Sequence, residues 1–109
     1  MDYNTYECVL TQTAEDDIDA VLKYISVDLS NPDAARTFAD LLEELFDELC
    51  KIPKLGKPVI NDFLKRTDIR LAHVKNYNIY YFAEDANSTV VSLLIVYSGR
   101  DQDEILKTI

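Results

Sequence analysis

The sequence predicts a small α+β domain, ordered β-α-α-β-β-β, in which a helical hairpin packs on a small antiparallel sheet. Two segments, residues 18–29 and 38–49, carry apolar side chains at three- and four-residue spacing, as amphipathic helices do. A short apolar-alternating stretch precedes them. Residues 69–101, IRLAHVKNYNIYYFAEDANSTVVSLLIVYSGRD, then read as three strands in succession. At 109 residues the chain is expected to be one domain, 1–109, large enough to bury a core without staples.

Tyr6 to Thr11 is the expected first strand, with Tyr6, Cys8 and Leu10 on one side. Thr13 is the expected N-cap of the first helix, with Glu15, Asp16 and Asp17 complementing its positive end. The stripe Ile18, Val21, Leu22, Ile25 and Leu29 follows. Ser30-Asn31-Pro32-Asp33 is a second start signal, because Pro at the first helical position needs no amide partner. The second stripe is Phe38, Leu41, Leu42, Leu45, Phe46 and Leu49. Pro53, Gly56 and Pro58 break the periodicity, so Ile52 to Lys65 reads as loop with one helical turn near Ile60–Lys65.

In the strand region Tyr77, Ile79 and Tyr81 fall on one side, and Asn78, Tyr80 and Phe82 on the other. Val90 to Tyr97 is apolar at nearly every position, which is how a strand covered on both faces reads. Lys75-Asn76 joins two strands tightly, with Asn76 the residue tolerant of positive φ. Glu84 to Ser88 makes the next hairpin loop, and Gln102 to Lys107 a final helical turn. The hairpin stripes are expected to bury Ile25, Phe38, Leu42, Leu45 and Val91 between helices and sheet.

No apolar run approaches the roughly 18–20 residues that cross a bilayer, and the N-terminus lacks a basic, then apolar, leader. No membrane role and a cytoplasmic location are therefore expected. Cys8 and Cys50 are expected as reduced, buried small hydrophobes rather than a disulfide. One histidine and no CxxC or HExxH pairing give no metal site, and no cofactor motif is present.

The net charge of −9 argues against non-specific nucleic-acid binding by the whole surface. Its distribution is uneven. Residues 1–50 carry 13 Asp/Glu against Lys23 and Arg36, whereas residues 51–109 carry 9 Lys/Arg against 7 Asp/Glu. Within 51–75, Lys51, Lys54, Lys57, Lys65, Arg66, Arg70 and Lys75 face only Asp62 and Asp68. This basic stretch is either a solvated face or the meeting place for an anionic partner.

The ordered set of motifs resembles the RelE/ParE superfamily of bacterial toxins. The matching pieces are Ala14-Glu15-Asp16-Asp17-Ile18 with Tyr24-Ile25, Asn31-Pro32 with Ala34-Ala35, and Leu49, Ile52-Pro53 and Gly56. Arg70 through Tyr81, Val90 through Asp101 and Ile105-Leu106 complete the set. The resemblance implies the toxin of a two-gene, type II toxin–antitoxin module (plasmid stabilisation and growth inhibition), neutralised by a cognate antitoxin. It also implies one of two targets: DNA gyrase for ParE-like members, which perform no chemistry, or mRNA in the ribosomal A site for RelE-like members.

RNA cleavage by a 2′-hydroxyl needs a base, a charge stabiliser for the phosphorane and an acid for the leaving oxygen. Arginine suits the middle role, and the resemblance places Arg70 and Arg100 as the catalytic candidates, on adjacent strands of a concave face. Lys54, Lys57, Lys65, Arg66, Tyr80 and Tyr97 are the candidate contacts to target or antitoxin. The rest of a nuclease set departs from the family pattern. Asn78 follows Tyr77 where an Arg is usual, Ser98 stands after the last strand, and residues 104–109 carry no Tyr or His. His73, the lone imidazole, reads as an ordinary strand residue. The expected action is therefore ParE-like and non-nucleolytic. The alternatives are a metal-independent, ribosome-dependent endoribonuclease and an inactive relative serving as a binding module.

Overall fold

A computed structural model describes residues 5–109. Strand β1 (Glu7–Leu10) leads into helix α1 (Gln12–Lys23), whose last turn widens into a π-helical segment, Tyr24–Asp28. Helix α2 (Pro32–Lys51) follows, then the two-residue strand β2 (Lys57–Pro58), β3 (Arg70–Val74), β4 (Tyr77–Glu84), β5 (Thr89–Tyr97) and the short helix α3 (Gln102–Leu106). The sheet order is β1-β5-β4-β3-β2.

The expected α+β architecture holds, with two differences in the sheet. β1 pairs with β5 in parallel, so the sheet is mixed, because the two-helix crossover returns the chain to the same side before β5 is laid down. β2 adds an antiparallel edge, Lys57 opposite Leu71 and Pro58 opposite Arg70, within a stretch that periodicity read as loop. Two residues with a proline are too short to carry a period, and Pro sits comfortably on an edge. The helical turn expected near Ile60–Lys65 is absent; those residues form irregular turns.

Local signals set the helix ends. Asn31 Oδ1 accepts the Ala34 amide at 3.1 Å and Pro32 takes the first helical position, as the sequence predicts. α1 is capped by Thr11 rather than Thr13: Thr11 Oγ1 accepts the Ala14 amide at 3.0 Å. The positive φ of the β3–β4 turn falls on Lys75, at 54°, not on Asn76.

The helices cover one face of the sheet. Ala14, Val21, Phe38 and Leu42 pack on Val74, Ile79 and Ile95, while Leu49 closes over Ala72, Tyr81 and Val90. Phe38 and Leu42 are buried as expected, whereas Ile25 and Leu45 are half-buried at the margin. The opposite face is covered by Val59, Leu64, Ile69 and the α3 residues Ile105 and Leu106, which pack on Tyr80, Phe82 and Leu94. Strand β4 therefore divides its aromatics between the two faces as alternation requires.

Within its continuous apolar text β5 carries a β-bulge. Tyr80 is opposite Leu94 but Tyr81 is opposite Ser92, leaving Leu93 as the extra residue. The bulge inverts the side-chain alternation: Val90 and Ser92 face the helices, Leu93 and Leu94 the outer layer, and Ile95 the helices again. Val91, opposite Phe82, thus lies on the outer side and is half-buried, not under the helices as expected.

β1 reaches only as far as Ser92, so the rest of the β5 edge is met by α1. The Thr11 amide donates to the Ser92 carbonyl at 3.0 Å and the Thr11 hydroxyl to the Leu93 carbonyl at 2.7 Å. Asp17 Oδ2 accepts the Ile95 amide at 2.9 Å. Burial raises the Asp17 carboxyl above its usual range, and the Asp16 charge adds to that; the Ile95 amide and the Arg100 charge oppose it.

Asp17→Ala orphans the Ile95 amide and is expected to cost about 1–3 kcal/mol. Asp17→Asn keeps an acceptor and sheds the penalty of a partly buried charge, so it should equal or exceed the parent at neutral pH. Because the folded-state pKa is raised, ionisation of Asp17 costs stability. The parent should therefore match Asp17→Asn below about pH 3.9 and fall behind it as pH rises through and just above the ordinary carboxylate range. Thermal unfolding of the three proteins across pH checks both statements; a parent that gains on Asp17→Asn as pH rises would refute the second.

Candidate functional site

Tyr81 lies at the centre of the helix-facing layer, 0% exposed, with only its hydroxyl reaching the rim. That hydroxyl donates to the Pro53 carbonyl at 2.9 Å and accepts the Gly56 amide at 2.8 Å. It thereby pins the turn that follows α2. A Cβ on Gly56 would stand 2.7 Å from both the Leu71 carbonyl oxygen and the Tyr81 hydroxyl, so the approach requires glycine. Arg70, opposite Tyr81 at the start of β3, completes the tether: its Nη1 donates to the Gly56 carbonyl at 2.7 Å and the Lys54 carbonyl at 3.2 Å. One arm of the Arg70 guanidinium is thus committed to the backbone of its own loop.

Arg100 is exposed in the turn between β5, which ends at Tyr97, and α3. Its amide donates to the Tyr97 carbonyl at 3.1 Å, and its carbonyl accepts from Gln102 Nε2 at 2.7 Å. Gly99 makes this turn possible, since a Cβ there would collide with the Tyr97 ring. Among the described residues the ion pairs are Arg36–Asp33, Arg66–Asp68 and Lys107–Glu104, so neither Arg70 nor Arg100 has a carboxylate in contact. The charge of Arg100 acts on Asp17 from a distance.

The two arginines do not meet. β3 and β5 are separated by β4, so the strands are not adjacent as expected. Arg70 stands level with Tyr81 and Ser92, whereas Arg100 lies beyond Tyr97. The strand between those levels is about 15 Å long at the rise of extended chain. The two backbone positions are thus apart along the sheet as well as on separate strands.

The remaining candidates divide by exposure. Lys54, Lys57 and Lys65 are exposed, the first two on or next to the loop that Tyr81 and Arg70 hold. Arg66 is bidentate on Asp68, at 2.9 and 2.7 Å, and stacks 3.9 Å from the Phe82 ring centroid; its bonds hold the Asp68 carboxyl below the usual range. Tyr97 is 51% exposed and meets Tyr77 edge-on. Tyr80, in contrast, is 2% exposed, and its hydroxyl donates to Gln102 Oε1 at 2.5 Å, so the contact role expected for it has no surface to act through. His73 is exposed on β3, in a shallow depression with Glu44 and Glu48.

Two features escaped the sequence. Gln102 is a hub: its Oε1 also accepts from Asn78 Nδ2 at 3.0 Å, and Asn78 is buried with its Oδ1 unpartnered. Only the tertiary fold brings these residues together. The second is a groove of about 700 Å³ lined mainly by Tyr24, Ile25, Leu29, Phe38, Tyr77 and Tyr97. It opens where the π turn carries Tyr24 and Leu29 out of the helical register, which leaves both about half exposed. No helix among the described residues is long and apolar enough to cross a membrane, and no group of three potential ligands is placed to hold a metal.

The sequence model of the family described as the ParE toxin of the type II toxin–antitoxin system parDE matches residues 8–103. A search of curated proteins finds no match. Among solved structures, the chain is similar to one in the RelBE2 toxin–antitoxin complex from Mycobacterium tuberculosis, with a TM-score of 0.61 and 22% identity over 85% of this chain and 91% of that one. It is similar to one in the chromosomal ParDE system from P. aeruginosa, with a TM-score of 0.67 and 16% identity over 86% and 97%. A third is the archaeal RelE–RelB complex from Pyrococcus horikoshii OT3, at 0.59 and 17% over 89% and 99%. At these identities the structures establish a shared fold. With the family match spanning nearly all of β1 through α3, they place this chain in the ParE toxin family of type II toxin–antitoxin systems.

Proposed function

We propose that this toxin acts in the cytoplasm in the ParE-like manner, by binding DNA gyrase without nucleolytic chemistry, and that a cognate antitoxin neutralises it. The observation that carries the reading is the separation of Arg70 from Arg100, with one arm of Arg70 committed to the Gly56 and Lys54 carbonyls. Tyr80 is buried on Gln102, and Asn78 stands where nuclease relatives carry arginine. Gyrase as the target follows from the family resemblance. Supercoiling by gyrase in the presence of the purified toxin, run beside transcript-end mapping after induced expression, tests it. Inhibited supercoiling with intact transcripts is expected; ribosome-dependent cleavage with normal supercoiling would replace this reading with the nuclease one.

Within this action Arg100 is an exposed anchor for the target, with no carboxylate in contact among the described residues and in the turn that follows the half-exposed Tyr97. Arg100→Ala should relieve growth arrest more than His73→Ala does. Its stability should change by less than about 0.5 kcal/mol, since no contacting ion pair is lost. Arg70→Ala differs: it frees the Gly56 and Lys54 carbonyls and is expected to destabilise by about 1–3 kcal/mol. Growth arrest after induction, paired with melting of each purified variant, separates the two roles. A stably folded, fully toxic Arg100→Ala beside a harmless His73→Ala would move the site to the histidine.

The antitoxin is expected to present acidic residues to the exposed Lys54, Lys57 and Lys65. Reversing all three to Glu should slow association with it markedly at low salt and less at high salt, since steering is screened over about 10 Å at 0.1 M. Association rates unchanged at both ionic strengths would show that the complex forms on another face.

A further inference from the structure

Cys8 and Cys50, the two cysteines of the chain, lie 42 positions apart and yet touch. Cys8 is on β1, one of the two edge strands, and Cys50 is in the last turn of α2. The Tyr6 amide donates to the Cys50 carbonyl at 2.7 Å, which fixes the helix end against the strand. The two sulfurs are in contact, 2.7 Å apart, and the Cys8 thiol donates to the Phe46 carbonyl at 3.2 Å. Both cysteines are half-buried, and Cys8 packs at the margin of the cluster formed by Leu49, Ala72, Tyr81 and Val90. Each is therefore supported from below while remaining within reach of a small oxidant.

We propose that Cys8 and Cys50 are a reversible covalent modification site, oxidised by a peroxide to a disulfide that locks β1 to the end of α2. In the first step the Cys50 thiolate attacks one peroxide oxygen; the O–O bond breaks, hydroxide leaves, and Cys50 becomes a sulfenic acid. The Cys8 sulfur then attacks the Cys50 sulfur; the S–S bond forms, the S–O bond breaks, and the oxygen leaves as water with the Cys8 proton. Two thiols and one hydrogen peroxide give one disulfide and two waters, the sulfurs being oxidised and the peroxide reduced.

The order follows from the surroundings. The Cys8 proton is directed at the Phe46 carbonyl, and burial, aided by Cys50 and Asp47, pushes that thiol up to about 12. Cys8 therefore serves as the resolving partner rather than the first nucleophile. The sulfurs already face one another in contact, so the pair stands within closing distance. The bond would close a loop containing both helices of the hairpin, which removes much of the freedom of that segment in the unfolded chain.

The full chain, treated with a modest excess of hydrogen peroxide at pH 7 and pH 8.5, tests this by intact mass, alkylation of remaining thiols and thermal melting. The expected result is loss of two hydrogens in mass, no alkylatable thiol, and a melting temperature raised by on the order of 10 °C, all reversed by dithiothreitol. The reaction should run faster at pH 8.5. Cys8→Ser should accumulate a sulfenic acid at Cys50 that a dimedone probe traps. Two alkylatable thiols after treatment, added oxygens in place of lost hydrogens, or disulfides only between separate copies would overturn the proposal. A disulfide within the chain that leaves melting unchanged would overturn the lock.

Discussion

From Leu93 to Tyr97, β5 has β4 on one side and no strand on the other, so its outward amides and carbonyls need other partners. Helix α1 supplies them from its first turns, through Thr11 and Asp17. This constraint reaches well beyond the edge itself. It fixes the start of α1 against the bulge at Leu93 and directs Val21 onto the sheet. It also brings Asp17 within the field of Arg100. The Asp17 carboxylate and the Arg100 guanidinium thus act on one another without contact.

A comparable logic governs the opposite edge. The Tyr81 hydroxyl and one arm of Arg70 hold the turn at Pro53–Gly56, and β2 pairs briefly with β3 just beyond it. The exposed Lys54 and Lys57 thus sit on anchored backbone rather than on a loose loop. The acidic half of the chain is carried largely by the helical hairpin and the basic stretch by this edge, so the charge asymmetry of the sequence becomes a spatial one. Arg70 supports that surface from within; Arg100 stands apart at the end of β5.

Much of this was legible in the residues. The Asn31-Pro32 start of α2, the division of the β4 aromatics between two faces, and the double burial of β5 all follow from spacing and local chemistry. Three features did not follow, each for a physical reason. The parallel pairing of β1 is a property of the crossover and leaves no local mark. The bulge at Leu93 is hidden because both faces of β5 are covered, so a one-residue inversion does not disturb a largely apolar pattern. The buried position of Tyr80 depends on Gln102, a partner that no periodicity connects to it. At the candidate site, residue types were readable but their separation was not, because it depends on which strand lies between β3 and β5.

Amide hydrogen exchange in the free protein tests the β5 edge most directly. Ile95 has no strand partner on its outward side, and its amide is held only by Asp17 Oδ2. If the α1 side chains close the edge, the Ile95 amide exchanges slowly, opening only with the global unfolding of the sheet. If it exchanges as fast as amides of the exposed turns at Lys75 and Ser88, the edge is open and α1 is not what holds it.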